Sequence, residues 1–133
     1  MQISNRRLLI LLLLYATASL SHYAHNAEFL AEYPNMPAWL SRTKVYAAWL
    51  GVSTLGAAGY LVVRAGRQLA GLCVIALYAG LGFDGLAHYS LASFAQHTAT
   101  MNLTIWLEAA SAALLLVTVA SRVVKLTRHQ STH

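Results

Sequence analysis

The sequence predicts an all-α protein, an antiparallel bundle of four transmembrane helices with both termini in the cytoplasm. Of its 133 residues, 58% are hydrophobic and 10% are charged, against about 25% charged in an ordinary soluble domain. Four apolar segments each approach the ~20 residues needed to cross a bilayer. Basic residues gather at alternate ends of these segments. Together these observations indicate one membrane domain over residues 1–133, with the lipid bilayer as its main partner.

The first predicted helix covers residues 8–25 and starts with an almost purely aliphatic run. This region also resembles a signal peptide, because Arg6-Arg7 precedes the run and Ala16-Thr17-Ala18 fits the small-x-small cleavage rule. An uncleaved helix is favoured, since apolar character continues past Ala18 and the polar residues that follow find partners only inside a bundle. Cleavage after residue 18 is the alternative and would leave three helices.

An outer surface loop is predicted over residues 27–44. Pro34 and Pro37 preclude one continuous helix there. The loop also carries side chains too apolar for a free linker, so we expect it to be ordered along the membrane surface. Trp39 should lie near the headgroups, and Phe29 or Tyr33 should cover the mouth of the bundle.

The remaining helices are predicted over residues 45–63, 69–91 and 101–121. Helices 2 and 3 should form a hairpin, because only a short turn separates them. Helix 2 is rich in small residues, which let neighbouring helices approach closely in lipid. They are Gly51, Ser53, Gly56, Ala57 and Gly59. This face of helix 2 is also the predicted docking surface for a membrane-protein partner.

Basic residues predict the orientation of the bundle. One end has seven of them, namely Arg6, Arg7, Arg64, Arg67, Arg122, Lys125 and Arg128, and the other end has Arg42 and Lys44. The positive-inside rule makes the first end cytoplasmic, and we expect a multi-pass protein of a bacterial inner membrane. The net charge of +5 suits anionic lipid headgroups. It does not suit nucleic acid, because the basic residues form no run or stripe.

The candidate site is a layer of ionisable side chains near the outer ends of helices 1, 3 and 4. Its members are His22, Asp84, His88 and Glu108. An unpaired carboxylate in a membrane helix costs roughly 2.5–3.5 kcal/mol, so both acids should face the interior. A histidine nitrogen should then lie about 3 Å from a carboxylate. Asp84 and His88, four residues apart, should share one helix face. The supporting residues are Asn26, Asn102 and Tyr15.

Two interpretations of this layer remain open. Imidazole and carboxylate groups suit a transition metal ion such as Zn, Fe, Mn or Cu(II), and they also suit proton transfer. Alternatively, the layer is a hydrogen-bonded cluster that only fixes helix register, with one acid protonated. No spacing matches a recognised metal motif, and the Glu-x-x-His pairs of di-iron bundles are missing from the sequence. His25 and His97 are weaker ligand candidates.

Several short motifs resemble a family of small four-helix bacterial integral membrane proteins of unassigned function. They are His22-Tyr23-x-x-Asn26, Tyr33-Pro34, Trp39, Gly59-Tyr60, His88-Tyr89, Asn102 and Glu108-Ala109. The resemblance implies a four-helix membrane fold and covers about residues 22–113. In that family an acid is expected where His25 stands, which argues against a ligand role for His25. The general plan is also similar to that of four-helix sterol-isomerase-like proteins, as an analogy of fold alone.

Three functions are compatible with these patterns. The leading hypothesis is a membrane protein that binds a metal ion or small ligand in an outward-facing His/Asp/Glu pocket. The second is a non-catalytic accessory or assembly subunit whose polar cluster is structural. The third is a membrane enzyme acting on a lipid-soluble substrate, with Glu108 or Asp84 as general acid or base. Metal content separates the first from the others, and copurifying chains would indicate the second.

Overall fold

The computed structural model describes residues 5–130, with side chains over 5–128, and this range is helical without strands. The α-helices are α1 (Asn5–Glu28), α2 (Arg42–Arg64), α3 (Gln68–Leu81), α4 (His88–Leu91) and α5 (Ala99–Gln130). Short 3₁₀ turns cover Leu30–Glu32, Asp84–Ala87 and Phe94–Gln96. With Gln68–Leu91 taken as one segment, four segments are long and apolar enough to cross a membrane. The predicted all-α, four-helix class is therefore confirmed, while the extreme termini lie outside the described residues.

Helices α1 and α5 are antiparallel and pack through stripes that alternate steps of four and three residues. This spacing is typical of left-handed helix pairs, in which every contact residue faces the partner. The buried stripe of α1 consists of Leu8, Leu12, Tyr15, Ser19, His22 and Asn26. The matching stripe of α5 consists of Met101, Ile105, Glu108, Ala112, Leu115 and Val119. One half of the interface is therefore apolar, and the other half is a polar layer.

Helices α2 and α3 form the predicted hairpin, which turns at Gly66 with φ +87°. Glycines let the two backbones approach closely. A Cβ at Gly71 would lie 2.6 Å from the Val63 nitrogen and 2.7 Å from the Gly59 oxygen, and a Cβ at Gly56 would meet the ring of Tyr78. Gly56 and Gly59, which were predicted to dock a partner, therefore pack against α3 of the same chain.

The outward faces of the helices are strongly apolar. Leucine, valine and tryptophan side chains lie exposed along every long helix, for example Leu13, Leu50, Leu77 and Val117. In the most apolar stretch of each span, only 17% to 39% of the residues are buried inside the protein. Water would solvate such a surface poorly, whereas lipid chains match it.

One end of the bundle gathers the start of α1, the α2–α3 turn and the end of α5. Arg122 donates to Asn5 Oδ1 and to Gln68 Oε1, which ties α1, α3 and α5 together. The opposite end, called the outer end below, is formed by the end of α1 and the starts of α2 and α5. The polar layer lies near this outer end.

The third predicted helix is not continuous over 69–91. It is α-helical to Leu81, and then a 3₁₀ turn follows before α4. Gly82 weakens the helix intrinsically, and its missing Cβ leaves room for the Tyr15 hydroxyl and the Ala112 methyl, which would lie 2.6 Å and 2.5 Å away. Residues three apart eclipse one another in a 3₁₀ turn. The buried stripe here accordingly runs through Gly82, Gly85 and His88.

Candidate functional site

The centre of the polar layer is the approach of His22 on α1 to Glu108 on α5. His22 Nε2 lies 3.8 Å from Glu108 Oε2, and both side chains are almost completely buried. This distance is longer than the hydrogen bond of about 3 Å that the sequence predicted. Gly85 makes the approach possible, since a Cβ there would lie 3.1 Å from Glu108 Oε2 and 3.3 Å from His22 Nε2. Three separate segments therefore form this contact.

His88 lies beside this pair and is held by Asn26. The rings of His22 and His88 are 5.4 Å apart, and Asn26 Nδ2 lies 3.0 Å from His88 Nε2. An amide nitrogen can only donate, so His88 Nε2 accepts and the neutral ring carries its proton on Nδ1. The predicted layer thus does bring together His22, His88, Glu108 and Asn26.

Tyr33 covers the layer from the outer loop. Its ring packs 4.9 Å from the ring of His88, and its hydroxyl lies 2.9 Å from His25 Nδ1. Burial raises the pKa of Tyr33 to about 12, so the phenol stays protonated and shares this hydrogen bond with the His25 ring as a neutral group. Of the two residues predicted to cover the bundle mouth, Tyr33 does so, whereas Phe29 is 45% exposed.

The loop that carries Tyr33 is fastened to the far side of the site. Asn35 has φ +57°, a left-handed conformation that asparagine tolerates better than most residues. Its side-chain Nδ2 donates to the backbone oxygen of Leu91 at 2.8 Å, at the end of α4. Trp39, further along the loop, is 68% exposed at the outer end. We call the segment from Phe29 to Ser41 the outer lid.

His97 joins the layer although its place in a loop made it a weak candidate. It is 6% exposed, and its ring lies 6.1 Å from that of His88. Its Nδ1 donates to the Ser93 oxygen, so Nε2 keeps a free lone pair. Asn102 fixes this loop by donating to the Phe94 and His97 oxygens. The sequence signal for His97 was only its position directly before α5.

Asp84 and Tyr15 take different places from the rest of the set. Asp84 is exposed, because the 3₁₀ turn rotates it away from the face that carries Gly85 and His88. It is therefore not buried in the interior with His88, although both side chains border the same pocket. Tyr15 lies two turns from His22 in the apolar half, where its hydroxyl donates to the Tyr78 oxygen at 3.3 Å. Tyr15 is thus a packing residue next to the site.

A pocket of about 280 Å³ opens between α1, the outer lid and the Asp84–Leu91 segment. Its polar wall consists of His22, Asn26, Asp84 and His88. Its other lining residues are mostly apolar or aromatic and include Tyr23, Met36, Pro37, Trp39, Leu40, Val45 and Leu91. No lysine or arginine lines it. This combination suits a small molecule with one polar end.

The layer holds an unusual number of unsatisfied polar atoms. Within the described side chains, five buried atoms around the site have no hydrogen-bond partner: His22 Nδ1, Asn26 Oδ1, His88 Nδ1, His97 Nε2 and Glu108 Oε2. Leaving one such group unpaired costs about 1–3 kcal/mol. A cluster that served only to fix helix register would be expected to pair its own atoms.

Metal coordination needs closer grouping than the described side chains provide. Among residues 5–128, no three His, Cys, Asp or Glu side chains stand together in an arrangement that could hold a metal ion. His22, His88 and Glu108 are neighbours, but their donor atoms do not converge on one point. These residues would have to rotate to share a metal.

Comparison with known proteins adds no family. No protein-family model, curated protein or solved structure matches this chain.

Proposed function

We propose that this chain is a multi-pass membrane protein that binds a small ligand or a metal ion in the outer pocket. One observation carries the proposal: unpaired buried atoms on His22, Asn26, His88 and Glu108 lie next to or behind a pocket of about 280 Å³. A bound group that donates and accepts hydrogen bonds would satisfy them. The outer lid would hold it in place through Met36, Pro37, Trp39 and Leu40, which line the pocket.

A small organic ligand is favoured over a bare metal ion. The apolar wall of the pocket has no function in metal coordination, whereas it would cover the body of an organic molecule. A transition metal ion is the second candidate ligand of the pocket. It would use the imidazoles of His22 and His88 with the Glu108 carboxylate, after side-chain rotation.

Whether the pocket binds a metal ion is tested by metal analysis of the detergent-purified protein. Wild type is compared with His88→Ala and Asp84→Asn, and Glu32→Gln on the exposed 3₁₀ turn serves as the control. A stoichiometric transition metal that disappears in His88→Ala supports the metal. A metal content that none of the variants changes contradicts it.

We further propose that the outer end faces away from the cytoplasm of a bacterial inner membrane. Support comes from the seven basic residues at the other end against two here. Reporter fusions after Arg67 and after Lys125 should behave as cytoplasmic, and one near Asn35 as external. A cytoplasmic signal at Asn35 would reverse the orientation.

An accessory or assembly role is the second candidate function. Gly56 and Gly59 pack inside the chain, but an outward stripe of small residues remains on α2: Ala47, Gly51, Thr54 and Ala58. Small residues of this kind line helix–helix contacts in membranes. Gly51→Leu, where nothing lies within 4 Å, should abolish copurification of a partner and leave the bundle folded. An enzymatic role for Glu108 or Asp84 has no further support in the geometry.

A further inference from the structure

We propose that the ligand of the outer pocket is a small amine, bound as its ammonium ion with its apolar part against the outer lid. This inference rests on the proposed function of the pocket and names the chemical class of its ligand. The charge of the pocket, the unpaired acceptors among its polar residues and its aromatic lining each favour such a ligand.

The charge of the pocket favours a cation. Asp84 lines it, is exposed, and forms no ion pair within the described part of the chain. The nearby basic side chains have other partners than Asp84, since Arg42 pairs with Glu28 and Lys44 donates to the Trp39 oxygen. A ligand ammonium would supply the counter-charge that the chain itself does not bring to Asp84.

The polar wall offers acceptors that match the donors of an ammonium group. Asn26 Oδ1 is buried and unpaired. His22 Nδ1 is also buried and unpaired, and a neutral ring with its proton on Nε2, 3.8 Å from Glu108 Oε2, would present Nδ1 as an acceptor. Both residues are more than nine-tenths buried and line the pocket. The Asn26 amide keeps its Nδ2 bond to His88, so its Oδ1 is the atom left to accept a hydrogen bond from a ligand.

The apolar and aromatic lining of the pocket explains why the cation should be organic. Tyr23 and Trp39 provide aromatic surfaces, which attract ammonium groups. Lys44 already uses Trp39 in this way, with its Nζ 5.5 Å from the ring centroid. Met36, Leu40 and Val45 add an apolar surface that a hydrated metal ion would not use. The volume of about 280 Å³ suits a molecule of modest size.

The test uses Trp39 as a reporter in the full-length protein. Trp49→Phe and Trp106→Phe leave it as the single tryptophan of the chain, and circular dichroism checks that every variant is helical. Benzylammonium, benzyl alcohol, benzoate and zinc chloride are titrated at neutral pH in an uncharged detergent. We expect saturable binding of benzylammonium that is at least about tenfold tighter than that of the alcohol, or about 1.4 kcal/mol.

Asp84→Asn should weaken benzylammonium binding by about tenfold or more, while Glu32→Gln should leave it unchanged. Asp84 is exposed, so this substitution does not disturb the core. Equal affinity for the amine and the alcohol would overturn the proposal that the ligand is an amine. An Asp84→Asn variant that binds benzylammonium like wild type would overturn it as well. Stoichiometric zinc binding without amine binding would also overturn it, yet keep the proposed function. If no probe binds and His88→Ala changes no metal content, both proposals fail.

Discussion

His22 Nε2 and Glu108 Oε2 lie 3.8 Å apart across the α1–α5 interface, in a space that exists because residue 85 is glycine. The two side chains come from opposite ends of the sequence and belong to matching stripes of antiparallel helices. Neither partner is held by a short hydrogen bond to the other. The pair is therefore close enough to interact electrostatically and still free to take a further partner.

The first prediction concerns Gly85. In Gly85→Ala the added methyl meets only the ends of Glu108 and His22, so these side chains shift and the backbone stays. We expect a stability loss near the lower end of the roughly 1–3 kcal/mol typical of overpacking, and a larger loss of ligand binding. Thermal unfolding and the Trp39 titration measure the two. Gly80→Ala, with nothing within 4 Å, is the control, and identical behaviour of both variants would contradict the prediction.

The second prediction concerns the Asn26–His88 hydrogen bond. Asn26→Ala leaves His88 Nε2 buried without a donor, which costs about 1–3 kcal/mol of unfolding free energy. Removing both groups in Asn26→Ala/His88→Leu should cost less than the sum of the single changes. Unfolding of all four proteins in mixed detergent gives the coupling energy. Additive losses would show that the bond does not contribute.

The third prediction concerns the fastening of the outer lid. Asn35→Gly keeps the left-handed backbone but loses the bond to Leu91, whereas Asn35→Ala loses both. Amide hydrogen exchange over residues 29–41 should therefore rise in the glycine variant and rise further in the alanine variant. Exchange in α2 serves as the internal reference. Unchanged exchange over the lid in both variants would mean that Asn35 does not hold it.

The fourth prediction is a pH dependence of the lid. The pKa of Tyr33 rises from 10.0 in the unfolded chain to about 12 because of burial. A group with a raised folded pKa contributes its stability fully below the unfolded pKa and loses it as the pH rises through the folded one. The closed lid should therefore weaken between pH 10 and about 12. Trp39 emission should change in this window, and Tyr33→Phe should remove the change. A change that persists in Tyr33→Phe would assign it to another group.

The fifth prediction concerns the α2–α3 hairpin. The methyl of Gly71→Ala would lie 2.6 Å from the Val63 nitrogen and 2.7 Å from the Gly59 oxygen, both backbone atoms that cannot rotate away. We expect destabilisation of about 1–3 kcal/mol or more, seen as a lower unfolding temperature, whereas Gly80→Ala in the same helix should cause no destabilisation. Wild-type stability of Gly71→Ala would contradict this close packing.

The sequence by itself predicted the four helices and the depth of most site residues. Each residue adds about 1.5 Å along a helix, so positions counted from the apolar boundaries place His22, His88 and Glu108 in one layer. The cost of a carboxyl in lipid then favours an interior position for Glu108, and it is 1% exposed. These conclusions need only helix geometry and the solvent properties of the bilayer.

The tertiary structure decided the direction in which side chains point around each helix axis. A three-residue period after Leu81 turned Asp84 out of the face that an α-helix would have given it. Tyr33 and His97 lie in loops that reach the site. The paths of these loops depend on contacts between distant residues, such as the hydrogen bond from Asn35 to Leu91. Local sequence carries little information about these choices, because each one depends on packing between segments that are far apart along the chain.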